Sequence, residues 1–375
     1  MKLNKILALS ALLVSGFALG ACNKETPSES ASATPSTTPS VESQTPSTPS
    51  ETPVVPEGKI NVGLGYAYSF TEGDLETAAQ LDLTAAFVAF DETGKIVDVR
   101  IDVVQVKAAH GEEGLVVKEG TLFDENESIK TKLELGKDYN MLNNPYGSTL
   151  AEVDTQIEAF ADWTIGQTVE EVTAKIDPEL GHGTAHHPSL EGSVTITCTD
   201  FVAAIEMAWN NKTESTFDNA GKAGIAMVSG LGESYGTWEM TVDVAGVMAD
   251  NGTVVASQID AIVLQLSVAE DGAITAKEGQ KYLDEDANLL SKKTLGDAYA
   301  MAESNGGQAG CTKEWDEQAA VIEAAANGKT AAQIAELVAG QGALAGATIY
   351  LDNYLTALAK AVNYAALTHV GPQAE

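Results

Sequence analysis

Cations are scarce in this chain: 21 Lys and Arg stand against 54 Asp and Glu, a formal net charge of −33 over 375 residues. Such a chain repels phosphodiester backbones and anionic headgroups, which argues against nucleic acid or an electrostatically held lipid surface as partner. Cysteine is nearly absent, with three in all, and none forms a CxxC pair, so neither a zinc ribbon nor a thioredoxin-like redox motif is supported. No GxSxG, HExxH, Walker A, GxGxxG or SxxK arrangement occurs either. Without a catalytic signature the chain reads as a carrier or binding protein more than as a turnover enzyme. The longest apolar run, Ile6 to Leu19, is too short for a membrane span, which needs about 20 residues.

That run has another use. Lys2 and Lys5 precede it as a short basic segment, and Leu19-Gly20-Ala21-Cys22 ends it. The arrangement has the form of a secretory signal, and its last four residues resemble a bacterial lipobox. The resemblance implies cleavage before Cys22 and lipid on its thiol, so residues 1–22 read as a lipoprotein signal peptide. The protein is then extracytoplasmic and held to the bacterial cell membrane through Cys22. Residues 23–57 are Ser/Thr/Pro-rich with almost no large apolar side chain. They cannot bury enough surface to offset the entropy of ordering, and read as a disordered tether.

About 320 residues remain, the length of two ordinary domains. Self-comparison points to a duplication. The stretch "FVAFDETGKIVDVRIDVVQ" (87–105) parallels "GVMADNGTVVASQIDAIVLQ" (246–265), with Asp102 opposite Asp260. "KLELGKDYNM" (132–141) parallels "KKTLGDAYAM" (292–301), and Gly166 parallels Gly328. "GSVTITCTDFVAAIEMA" parallels "GATIYLDNYLTALAKAV", aligning Thr195 with Thr348. The expected boundaries are 58–212 for the first repeat and 213–375 for the second.

Each repeat predicts a strand pair joined by a turn, "DETG" or "DNG", then a short extended stretch and the LG-x-x-Y-x-M segment. A helix follows near 152–163 or 313–326, and another starts at Thr168 or Thr330 as N-cap. A final strand carrying Thr195 or Thr348 leads into a terminal helix, capped by Thr199 or Asp200 in one repeat and by Asp352 or Asn353 in the other. Strand groups followed by helices predict α+β, an antiparallel sheet with helices in each of two tandem repeats. Each Thr thus sits just before a helix N-terminus, where free amides and the dipole favour a phosphate.

"AGATIYLDNYLTALAKAV" resembles the carboxy-terminal signature of FMN-binding domains, Asp-x-x-Ser-Gly-Ala-Thr followed by a helix. Gly346, Ala347 and Thr348 match, Ala345 stands for the Ser, and Thr195 aligns likewise; the Asp falls on Gly342 and on Ser189. The resemblance implies FMN joined through its phosphate to Thr348, and in the first repeat to Thr195, by a separate flavin transferase. It also implies an electron carrier at the cell surface with a membrane redox partner. A second reading stays open beside it: a non-catalytic surface binding or spacer lipoprotein that keeps this fold without flavin, with each Thr a packing residue.

Other groupings invite chemistry. His182, His186 and His187 lie within six residues, in a Gly- and Pro-containing segment; they read as an insertion loop, and no metal ligand is assigned. Asp284, Asp286 and Asn288 have the leading spacing of a calcium loop but lack the Gly and the closing Glu, so this loop and "FDENES" read as solvated. Tyr350 stands two residues after Thr348, placed to stack on an isoalloxazine ring. Cys198 and Cys311 have no framework spacing; an extracytoplasmic location permits a disulfide between them, and their spacing does not call for one.

Overall fold

The computed structural model describes residues 59–144, 150–176, 187–214, 221–339 and 344–367. The chain divides into two units, Met1–Thr52 and Pro53–Glu375. The first, with Cys22 and most of the Ser/Thr/Pro stretch, lies outside the described residues.

The second unit is α+β. Its first sheet has β1 (Asn61–Thr71), β2 (Ala79–Phe90), β3 (Ile96–Gly111), β4 (Gly114–Val117) and β5 (Thr213–Glu214), in the spatial order β4-β3-β2-β1-β5. The second has β6 (Lys222–Ser234), β7 (Thr237–Asp250), β8 (Thr253–Val268) and β9 (Ile274–Ala276), paired in that order. Every pairing is antiparallel. The expected strand pairs are therefore parts of three-stranded meanders, because β1 and β6 precede them. The turns have the anticipated chemistry. Asp91 Oδ1 accepts from Thr93 N and Lys95 N at 2.8 and 2.9 Å, while Asn251 and Gly252 take the positive φ a tight hairpin requires.

Both faces of the sheets are apolar, which fixes the layering. Along β2, Leu81, Leu83, Ala85 and Phe87 point one way and Ala86, Val88 and Phe90 the other, all fully buried. The first set joins Ile225, Met227, Val242, Val244, Ile262 and Leu264 of the second sheet in one core. The second set meets helices α2 (Val153–Thr164), α3 (Val169–Lys175) and α4 (Thr199–Asn210), which follow the single-turn α1 (Lys132–Leu135). On the outer face of the second sheet, α6 (Trp315–Ala326), α7 (Ala331–Ala339) and α8 (Asp352–Ala366) play the same part, after the single-turn α5 (Lys292–Leu295). Glycine sets the helix–sheet spacing. A Cβ on Gly65 would lie 2.2 Å from Ala204 O of α4, and one on Gly224 would lie 2.0 Å from Ala361 O of α8.

Polar side chains stitch the two sheets and their loops together. Gln258 of β8 accepts from Leu64 N of β1 at 2.7 Å and donates to Thr213 Oγ1 at 3.1 Å. Tyr66 of β1 donates its hydroxyl to Leu289 O and accepts from Ser291 N. Lys360 of α8 reaches Asp124 Oδ2 at 2.7 Å and Glu134 Oε1 at 2.5 Å.

Two expectations fail. Residues 194–198 and 347–351 form no strand, because a side chain from a neighbouring helix, and no strand ladder, takes the backbone amides there. The expected caps are also absent: the residues at the cap positions are Cys198 and Leu351, and no side chain caps α4 or α8. Asn353 instead donates to Asp243 Oδ2 at 2.8 Å. Thr168 does cap α3, in a capping box with Glu171.

Candidate functional site

The turn before α8 is held by one glutamine. Gln318, on α6 and 1% exposed, accepts at Oε1 from Thr348 N at 2.6 Å, Thr348 Oγ1 at 3.1 Å and Ile349 N at 3.2 Å. Its Nε2 donates to Lys313 O at 3.1 Å and contacts Met301 Sδ at 3.4 Å. Gln156 on α2 makes the corresponding bonds: Thr195 N at 2.7 Å, Thr195 Oγ1 at 2.9 Å and Ile196 N at 3.3 Å, with Nε2 on Ala151 O and Met141 Sδ. The Met of the LG-x-x-Y-x-M segment is thereby the soft acceptor behind each glutamine. Glu152 and Glu314 hold that segment through Met141 N and Met301 N.

The Thr in each turn therefore has a local structural partner, and the two turns differ in what surrounds them. Thr348 is exposed and Thr195 half-buried. Gly346 has φ +99°, and a Cβ there would lie 3.1 Å from Lys313 Nζ, so the turn is kept bare beside an ammonium group. Ala347 is buried beneath it. In the other turn the positive-φ glycine is Gly192, one residue further from its Thr, with nothing within 4 Å of a Cβ placed on it, and Ala151 occupies the place of Lys313. Below Thr348 the first amides of α8, a 15-residue helix, have no side-chain cap. Tyr350 is 93% exposed, an aromatic ring with no cover next to the turn. An exposed threonine, a bare glycine, an ammonium group beside that glycine and an uncapped helix end are features a phosphate at this turn would use. Among the described residues, the surroundings of Thr195 lack the ammonium group, and Thr195 is less exposed than Thr348.

The remaining candidates separate. His187 accepts from Ser189 N and packs on Trp163 with ring centroids 5.5 Å apart; His182, His186 and Gly342 lie outside the described residues. Among the described residues no cluster of three His, Cys, Asp or Glu is arranged to hold a metal. Asp284 Oδ1 accepts from Asp286 N and Asn288 N, and Asp124 Oδ1 from Asn126 N and Ser128 N. Asp284 turns into its own loop; Asp124 does so with one oxygen and pairs with Lys360 through the other, so it is not the solvated residue expected of "FDENES". Cys198 and Cys311 are free thiols, and burial pushes the Cys198 thiol up to about 12. Burial likewise pushes Asp102 up to about 7 and Asp260 up to about 6. Each accepts from the first turn of the helix beside it, at Leu133 N and Lys293 N, both at 3.1 Å.

Neither glutamine was singled out from the sequence. Both open the matched stretches "QIEAF" and "QAAVI", but a Gln on an amphipathic helix reads as solvent-facing until the turn it holds is in place. Lys313 gave no sequence signal, since it precedes a helix in a segment distant from Thr348. No family model, curated protein or solved structure matches this chain.

Proposed function

We propose that this protein is a lipid-anchored, extracytoplasmic flavin carrier, with FMN joined through its phosphate to Thr348. The observation that carries the reading is Thr348, an exposed residue four positions before the uncapped α8, in a turn whose Gly346 lies against Lys313 Nζ. Thr348 Oγ1 would form the phosphoester, Lys313 and the α8 amides would offset the phosphate charge, and Tyr350 would lie against the ring. Flavin bound there supplies one- and two-electron transfer, received from a membrane redox partner and passed outward. Attachment needs a flavin transferase with FAD as donor: an Oγ1–P bond forms, the pyrophosphate bond of FAD breaks, AMP leaves, and the hydroxyl proton is taken up by base. Thr195 is the weaker second position. The anchor on Cys22 and the tether over 23–57 belong to the same reading.

A specific observation favours the second reading, a binding or spacer lipoprotein without flavin. Gln318 and Gln156 bind their Thr residues in the same way, so a Thr is accounted for at both turns by packing alone. Intact mass separates the two. The full chain, co-expressed with a secreted flavin transferase and supplied with FAD, should gain one FMN and lose it in Thr348→Ala; a gain of two brings in Thr195. No gain, beside a control protein that is modified, overturns the carrier.

A further inference from the structure

In a chain of net charge −33, four lysines converge on one cavity. Lys107 comes from β3, Lys118 from the turn after β4, Lys130 from the strand-like approach to α1, and Lys132 from α1 itself. They line a cavity of about 260 Å³ together with Tyr139, Leu122, Leu135 and Val103. Among the described residues Lys107, Lys118 and Lys130 make no direct ion pair and no side-chain hydrogen bond, and Lys132 Nζ lies 5.4 Å from the centre of the Tyr139 ring. Two carboxylates, Glu119 and Asp138, also line the cavity. Asp82 also acts as a counter-charge on Lys107 and Lys132, although its oxygens accept hydrogen bonds from Gln80 Nε2 at 2.6 Å and Gln105 Nε2 at 2.5 Å.

The contrast with the second sheet is informative. There Lys277 donates to Thr237 Oγ1 at 3.1 Å, Lys281 to Tyr299 O at 2.8 Å, and Lys293 pairs with Glu323 at 3.1 Å. Burial holds Lys107 and Lys132 below the usual ammonium range, against the opposing charge of Asp82 on both and of Asp102 and Asp200 on Lys132; the neighbouring lysine adds a smaller push in the same direction as burial. Lys118 is exposed and the other three are half-buried; four ammonium groups around one cavity repel one another, and an anion reaching all of them relieves that repulsion.

We propose that this cavity is a binding site for a small phosphate monoester, whose dianionic head is held by Lys107, Lys118, Lys130 and Lys132 and whose ring or carbon body lies against Tyr139. Ammonium groups arriving from three segments suit a tetrahedral group with three charged oxygens better than a planar carboxylate. The apolar wall of Leu122, Leu135 and Val103 accommodates a body of a few carbon atoms. The site is independent of Thr348, and the absence of flavin there leaves it standing.

Inorganic phosphate serves as the probe on the full chain, with sodium chloride of equal ionic strength as reference. Saturating phosphate should raise Tm by roughly 2–6 °C and broaden the phosphate signal in phosphorus NMR. Lys107→Gln/Lys132→Gln should weaken binding at least about tenfold and lose both effects, while Lys277→Gln keeps them. Should the double variant fail to fold, Lys118→Gln/Lys130→Gln replaces it, with the same weakening expected. An equal rise in wild type and lysine variants would show the general salting effect of phosphate and overturn the site. So would no rise and no broadening in wild type, and acetate acting as strongly as phosphate would overturn the phosphate assignment.

Discussion

Replacing Gln318 by Leu tests what holds the turn at Thr348. The substitution keeps the volume and deletes one acceptor shared by Thr348 N, Thr348 Oγ1 and Ile349 N, together with the donor to Lys313 O. Each such bond contributes about 0.5–1.5 kcal/mol net, and a buried group left without a partner costs more. Thr348 is exposed, so water replaces part of the loss on that side, and the expected cost is about 2–4 kcal/mol. Thr348→Val removes only the hydroxyl bond, at an exposed position, and should cost about 0.5–1 kcal/mol. Urea unfolding gives both values on one scale, and calorimetry should show Tm falling about 4–8 °C for the first and about 1–2 °C for the second. Gln156→Leu should cost at least as much, because Thr195 is half-buried and water replaces less of the loss there. The reasoning fails if Thr348→Val costs as much as Gln318→Leu, since the hydroxyl and not the amide would then organise the turn.

Lys360 is 13% exposed at its side chain and bridges Asp124 and Glu134, themselves 12% and 7% exposed; Lys360→Met strands two carboxylates and should cost about 3–5 kcal/mol, measured by urea unfolding. For Asp102 the sign runs against the usual carboxylate. Its folded value, raised to about 7 by burial, lies above its unfolded one, so the native state holds the extra proton and stability falls as pH rises from about 4 to about 7, by up to roughly 1 kcal/mol per pH unit. Asp102→Asn keeps the acceptor for Val103 N and Leu133 N, and Asp102 Oδ2 has no hydrogen-bond partner to lose. Its stability relative to wild type should therefore climb over that window and level off above it, and a flat difference would place the proton elsewhere. Residues 58–212 or 213–375 expressed alone should give poorly dispersed amide NMR spectra, because each would expose the sheet face that Leu83, Phe87, Val242 and Ile262 bury between them. Well-dispersed spectra from either fragment would refute the shared core.

Much of the local structure was legible. The hairpin at "DETG", the helix near 152–163 and the N-cap at Thr168 follow from turn chemistry, apolar spacing and a Thr placed just before a helix, all properties of a few adjacent residues. What misled was the stretch around Thr195 and Thr348. A final strand is expected there from the sequence, yet the backbone donors go to Gln156 and Gln318, which lie some 30 to 40 positions earlier in the chain. Asp352 and Asn353 looked like caps by position, and Asp243, on a distant strand, claimed the second of them.

By itself the sequence determined the charge, the absence of recognisable catalytic motifs and the α+β class, because composition and short-range periodicity depend on neighbours along the chain. Tertiary structure alone decided that the two sheets share a core, that a glutamine holds each threonine turn, that Lys313 stands beside Gly346 but has no counterpart near Thr195, and that four lysines meet in one cavity. Each of these depends on side chains brought together from distant segments. Burial and hydrogen-bond competition settle which partner a group takes, and both act only once the chain has closed on itself.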